Sequence, residues 1–197
     1  MDFTEIRKNF EKHGFTTQAF STPGEVRNYF MNSLENQTIG FGGSVTLREL
    51  ELFEALSQHN AVVWHNKVNA TVVRRLANAA CVYITSANAV SETGEIVNID
   101  GTGNRVAMTA FGPDICYYVI GKNKITPDLP AALSRSKNIA APLNAKRLKV
   151  KTPCAKNGDK CYDCNSPGRI CRITTIIDRA PIGMKCEIVF VDQNLGL

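Results

Sequence analysis

Four of the seven cysteines fall inside one stretch, TPCAKNGDKCYDCNSPGRIC, residues 152–171. Cys154, Cys161, Cys164 and Cys171 follow the spacing C-x6-C-x2-C-x6-C, and the central C-x2-C lets one tight turn present two thiolates to one ion. Four thiolates satisfy tetrahedral zinc or a 4Fe–4S cube equally well. The spacing is neither the bacterial nor the plant-type ferredoxin run, and zinc sites usually carry two such knuckles where this chain has one, so the identity of the metal stays open. Redox-active or structural thiols are one alternative and a disulfide another. Cys81, Cys116 and Cys186 sit in apolar strand patterns and read as small buried hydrophobes. The histidines, His13, His59 and His65, have no partner spacing, and Trp64 and the other aromatics look like core.

A second stretch with chemistry is IGFGGSVTLREL, residues 39–50. A strand ending in Gly40, Gly42, Gly43 and Ser44, followed by a helix opened by Thr46 and Glu49 as a capping box, would expose backbone N–H groups to a phosphate or carboxylate. It is neither a Walker loop nor a GxGxxG turn, and a tight strand-to-helix turn is the plain alternative. A third stretch, SANAVSETGEIVNIDGTGNR, residues 86–105, crowds Asn88, Glu92, Asn98, Thr102, Asn104 and Arg105 between two apolar strands. Glu92 could serve as a general base and Arg105 could clamp a carboxylate. A polar hairpin followed by a helix capped by Asp100 or Thr102 explains the same residues without ligand.

The elements around these stretches alternate. Phe3, Ile6 and Phe10 predict a first helix, and Thr22-Pro23-Gly24-Glu25 opens a second carrying Val26, Tyr29, Phe30 and Leu34. Two helices are thus expected before the first strand. Strands at 38–41, 61–65 and 81–86, separated by helices at about 47–57 and 71–79, make a βαβ rhythm and imply a mostly parallel sheet covered by helices. Residues 81–86 and 95–100 are too close for a crossover helix and are expected to pair antiparallel around Thr93-Gly94. A strand at 115–120, a helix over 127–149 broken at Pro142 and two late β-rich runs complete an open, mixed α/β sheet.

With 197 residues, 44% of them hydrophobic, the chain can build one sizeable core. The charged N-terminus MDFTEIRKNF reads as no signal peptide, and no window reaches membrane-spanning length, so a cytoplasmic protein is expected. Thiols stay reduced there, and seven cysteines cannot all pair, which counts against a disulfide knot. The net charge of +5 gathers toward the C-terminal third around the cysteines, where it would offset thiolate charge. Aromatic interleaving is missing, so nucleic acid is not an expected partner.

The segments IGFGGSVTLRELELFEAL, ANAVSETGEIVNIDGTGNRVA, FGPDICYYVIGKNKI, AAPLNAKRLKVKTPC and SPGRIC together resemble the LUD-domain, or lactate-utilisation, family over about residues 35–197. The resemblance implies a fold like ribose-5-phosphate isomerase, glucosamine-6-phosphate deaminase and the CoA transferases. It divides the chain into N-terminal helices, 1–36, and a LUD domain, 37–197, with the cysteine-rich segment 151–172 inside it. In that superfamily a glycine-rich loop after the first strand holds an anion, matched here by Gly40, Gly42, Gly43 and Ser44; Thr102 and Asn104 of the polar stretch are further candidate ligand contacts. Acidic residues opposite do the chemistry, where Asn88, Glu92 and Asn98 lie here. The isomerase branch carries Gly-Ala-Asp where this chain has Ser86-Ala87-Asn88, so an amide replaces its acid.

Family members are linked to oxidation of lactate to pyruvate through a multi-protein iron–sulfur system. The resemblance therefore implies a 2-hydroxy-acid utilisation component with a small anionic metabolite and iron–sulfur redox proteins as partners. The cysteine segment differs from the ferredoxin-like motif of the larger family subunits. A sugar-phosphate or CoA-ester enzyme and a non-catalytic, zinc-stabilised binding module are the alternatives.

Overall fold

The computed structural model describes residues 1–68 and 70–197. Six parallel strands form the central sheet: β1 (Thr16–Phe20), β2 (Thr38–Phe41), β3 (Ala61–Trp64), β4 (Val82–Thr85), β7 (Ile115–Gly121) and β10 (Lys185–Val191), in the order β1-β10-β7-β4-β2-β3. A smaller sheet, in the order β8-β5-β6-β9, holds β5 (Ala89–Ser91), β6 (Ile96–Asp100), β8 (Ile125–Thr126) and β9 (Ile173–Ile177). The mostly parallel, helix-flanked α/β architecture expected from the βαβ rhythm is present.

The helices are α1 (Thr4–Lys12), α2 (Pro23–Ser33), α3 (Val45–Glu49), α4 (Leu52–Leu56), α5 (Thr71–Ala77), α6 (Asn104–Ala110), α7 (Leu129–Arg135), α8 (Ala141–Arg147) and α9 (Pro153–Asn157); α1 and α2 cover opposite faces of the large sheet, whereas α7 packs on the small one and α9 on α8. Burial on both faces follows the strand period of two. Tyr118, Ile120, Ile188 and Phe190 join Phe3 and Phe10 of the α1 segment in one core, while Tyr117, Val119, Val189 and Val191 join Val26 and Phe30 of α2 in the other. The Thr22 capping box forms, with Oγ1 accepting from the Glu25 amide at 3.3 Å and the Glu25 carboxylate accepting from the Thr22 amide at 2.9 Å.

Several expectations need correction. The N-terminal helices do not precede the first strand together: β1 lies between them and pairs in parallel with β10, tying the start of the chain to its last strand. The strand at 81–86 does not turn back on 95–100. It stays in the large sheet as β4, and the chain then crosses to the small sheet, where Ala89–Ser91 makes the antiparallel pair with β6. The helix expected over 47–57 is split into α3 and α4 by Glu51, whose φ of 54° takes it out of the helical region. Its cap is Ser44, whose hydroxyl accepts from the Leu47 amide, rather than a Thr46–Glu49 box. The break at Pro142 becomes a π-helical turn, Ser136–Ala140, joining α7 to α8, because proline supplies no amide N–H and crowds the preceding turn. Cys116 and Cys186 are buried as expected, but Cys81, just before β4, is exposed. No helix among the described residues is long and apolar enough to cross a membrane.

Candidate functional site

The carboxyl ends of β2, β3 and β4 open into a cavity of about 520 Å³. β2 has β3 on one side and β4 on the other, so the chain reverses direction across the sheet at β2, and open α/β sheets place ligands outside such a reversal. Gly43 and Ser44 after β2, His65 after β3, and Ser86, Ala87 and Asn88 after β4 line it, joined by Asp100, Thr102, Asn104 and Arg105 from the end of β6 and the start of α6.

Arg105 is locked on one side of this cavity. Its guanidinium donates to the Ile99 carbonyl at 2.6 Å, approaches the Asn88 Oδ1 and the Gly43 carbonyl at 3.4 Å each, and stands 3.6 Å from the Asp100 carboxylate. Burial pushes the Asp100 carboxyl up. Arg105 and the amides of Gly103, Thr102 and Gly101 outweigh this and hold it below the usual aspartate value. Asp100 also accepts from the Thr102 and Gly103 amides, which answers the expectation of a cap before α6, although the N-cap itself is Gly103 at φ 92°. Asn88 acts as a bracket: its Oδ1 accepts from the Ile99 amide at 2.7 Å while its own amide donates to Asn98 Oδ1 at 3.2 Å.

Five of the expected site residues therefore border the cavity beside Arg105: Gly43, Ser44, Asn88, Thr102 and Asn104. Others do not. Glu92 is exposed on the β5–β6 turn, where its carbonyl accepts from Asn9 of α1, so the hairpin carries it away from the cavity. Asn98 is fully buried behind Asn88, with its Nδ2 lacking a hydrogen-bond partner. Gly40 is required by packing, since a Cβ there would lie 2.0 Å from the Ala77 carbonyl oxygen of α5. Gly42 is likewise crowded by Thr85 Oγ1, at 2.5 Å.

Tertiary structure adds groups that no spacing signals. Lys124 follows β7 in a 3-10 turn and is buried at 4% exposure, its Nζ donating to Thr46 Oγ1 and Ser86 Oγ, each at 2.8 Å. Among the described residues no carboxylate pairs with it. Burial, reinforced by the nearby Arg135 and Arg105 and only partly opposed by Glu49, brings its ammonium down to about 7. His65, half-buried, has an Nδ1 without a partner, and burial with Arg74 nearby lowers it below the usual histidine value. Six cationic side chains, Arg48, Lys67, Arg74, Arg105, Lys124 and Arg147, line the cavity against one acidic side chain, Asp100, which makes it an anion-attracting space. Lys124 lies in the run GKNKI, where no motif or spacing marks it. His65 ended a predicted strand, and that position was its only signal.

The four clustered cysteines also converge. Cys154, Cys161, Cys164 and Cys171 all line a second cavity, of about 20 Å³, under α8 and beside Arg169. All are free thiols, and the Ser166 amide and hydroxyl, followed by Arg169, pull the Cys164 thiol below its ordinary value. Among the described residues, no three histidine, cysteine, aspartate or glutamate side chains stand as a group that could hold a metal ion. Ile170 and Cys171 line both cavities, so one stretch of backbone separates the thiols from the cationic space.

No curated protein matches the chain significantly. A crystal structure of a DUF162 family protein from Deinococcus radiodurans, at 1.70 Å resolution, aligns with a TM-score of 0.52 over 97% of this chain and 99% of that one. The two are 14% identical, so the likeness is one of fold. The family model of the LUD domain matches residues 3–191, which takes in β1, both N-terminal helices and all of the cavity's lining but Leu197. With nearly its whole length matched, the chain belongs to the LUD-domain family, the family of lactate utilisation.

Proposed function

We propose that this chain is a component of 2-hydroxy-acid utilisation that holds an anionic metabolite, bearing a carboxylate or a phosphate, in the cavity at the carboxyl ends of β2 and β4. The observation that carries this reading is the charge of the space: five permanently cationic side chains and the titratable Lys124 against a single acidic side chain, with Arg105 held at its edge. Gly43 and Ser44 supply a close wall, and Arg105 faces the anion with a guanidinium oriented by Asn88, Asp100 and the Ile99 carbonyl. Calorimetric titration with L-lactate and pyruvate, against ribose 5-phosphate and coenzyme A, tests it. Binding of the hydroxy or oxo acids supports the lactate reading. Selective binding of the phosphorylated compounds turns the chain toward the sugar-phosphate or CoA-ester alternative, which the volume of about 520 Å³ favours because a small acid fills only part of it. Failure of every anion to bind refutes the site.

We further propose that Cys154, Cys161, Cys164 and Cys171 are the ligands of one metal centre, zinc or an iron–sulfur cluster. Their convergence on one cavity and the lowered Cys164 thiol support this, and so does the lack of helix or strand over residues 160–166, which leaves the backbone free to draw the sulfurs around an ion. A cluster would supply one-electron chemistry behind the Ile170–Cys171 wall and make iron–sulfur redox proteins the partners. Zinc would make the segment a structural clasp. Seven unpaired thiols suit a reducing cytoplasm, the location proposed for the chain. Elemental analysis with a visible spectrum on protein purified without oxygen separates the two metals. Equal metal content in wild type and a Cys161→Ser/Cys164→Ser variant refutes the assignment.

A further inference from the structure

Lys124 is a buried cation among hydroxyls. Two of its three N–H directions are taken by Thr46 Oγ1 and Ser86 Oγ, both at 2.8 Å, and Ser86 Oγ in turn donates to the Val119 carbonyl at 2.7 Å. Gly196 closes over it so tightly that a Cβ there would lie 2.4 Å from Thr46 Oγ1 and 3.1 Å from the lysine nitrogen. The lysine lines the cationic cavity, and among the described residues no carboxylate pairs with it directly, Glu49 acting only through its charge. The charged or titratable groups facing it are Arg105 of α6, Arg135 of α7, Glu49 of α3, His65 after β3, Asp100 of β6 and the terminal Leu197. Burial, followed by Arg135 and Arg105, disfavours the Lys124 ammonium more than Glu49 favours it.

We propose that Lys124 is the proton-coupled anchor of the cavity: as an anionic ligand enters, the lysine takes one proton from solvent and donates its remaining N–H to the ligand's oxygen. This rests on the anion-binding reading above and deepens it. The buried lysine titrates close to neutrality, at about 7, and a bound anion raises that value by direct charge attraction. Ligand binding and proton uptake are then linked, and each strengthens the other.

Sulfate and L-lactate are the probes, since neither titrates near neutrality. Calorimetry of the full chain in buffers of different ionisation enthalpy should show uptake of about half a proton per sulfate at pH 7, rising toward one at pH 8. His65, held below its ordinary value, stays neutral at that higher pH. Sulfate affinity should fall close to tenfold per pH unit above about pH 8. Lys124→Arg, which keeps the charge permanently, should bind sulfate with neither uptake nor that slope. Lys124→Met should bind more weakly and also lose the uptake. Sulfate binding to wild type without proton uptake at pH 8 overturns the anchor, as does uptake that persists in either variant. If neither probe binds wild type at all, the cavity reading falls and the anchor falls with it.

Discussion

Replacing Lys124 by methionine should stabilise the fold while impairing the site. In the unfolded chain the lysine holds its proton up to its ordinary 10.5, but in the folded chain only up to about 7. Between those values the unfolded state binds more protons, so stability rises with pH across that window, and below about 7 the full cost of the buried cation is present. At 1.36 kcal/mol per pH unit, a gap from 10.5 to about 7 amounts to roughly 5 kcal/mol. Methionine removes this cost and fits a similar unbranched volume, but it forfeits the hydrogen bonds to Thr46 and Ser86, about 1 kcal/mol each. A net gain of roughly 3 kcal/mol is expected at pH 7. Urea unfolding at pH 6, 8 and 10 measures it. The gain should shrink at pH 8, and by pH 10 the variant should be no more stable than wild type. A variant less stable than wild type at pH 7, or a gap that does not narrow as pH rises, refutes the burial argument for Lys124.

Other outcomes follow from the same contacts. Gly40→Ala should cost about 3 kcal/mol or more in urea unfolding, because the added Cβ would sit 2.0 Å from the Ala77 carbonyl oxygen and α5 would have to move off β2. Asp100→Asn should lose about 2 kcal/mol at pH 7, since two backbone amides and Arg105 lose a charged acceptor. Because the folded Asp100 carboxyl lies below its ordinary 3.8, its contribution is present above that value and disappears as pH falls through the folded value. Melting temperatures of wild type and Asp100→Asn should therefore converge in acid, and a constant difference down to pH 2 would contradict this. Glu92→Gln should leave calorimetric sulfate and lactate affinity unchanged, because Glu92 stands on the exposed hairpin turn outside the cavity.

Sequence alone determined what depends on local pattern. The capping box at Thr22, the βαβ rhythm and the buried strand cysteines Cys116 and Cys186 follow from periods and spacings that short-range sterics and hydrogen bonding impose. The glycine turn after β2 and the polar hairpin were also legible, and five residues from them, with Arg105, do border the cavity. What sequence could not assign was which residue of each polar stretch points where. A hairpin directs Glu92 outward and keeps Asp100 inward through pairing with a strand more than seventy residues later, β9, which no local signal encodes. Gly40 and Gly42 looked like ligand contacts, but the helix packed above β2 and the Thr85 hydroxyl beside it are what exclude a side chain there. Lys124 was the largest omission. A lysine is exposed by default, and only the convergence of β7, the Ser86 turn, Thr46 and the chain's last residues makes this one buried, hydrogen-bonded to hydroxyls rather than to a carboxylate, and titratable near neutrality. Residue type and spacing mark where chemistry is available, whereas desolvation and long-range charge belong to the assembled fold and exist only once distant segments meet.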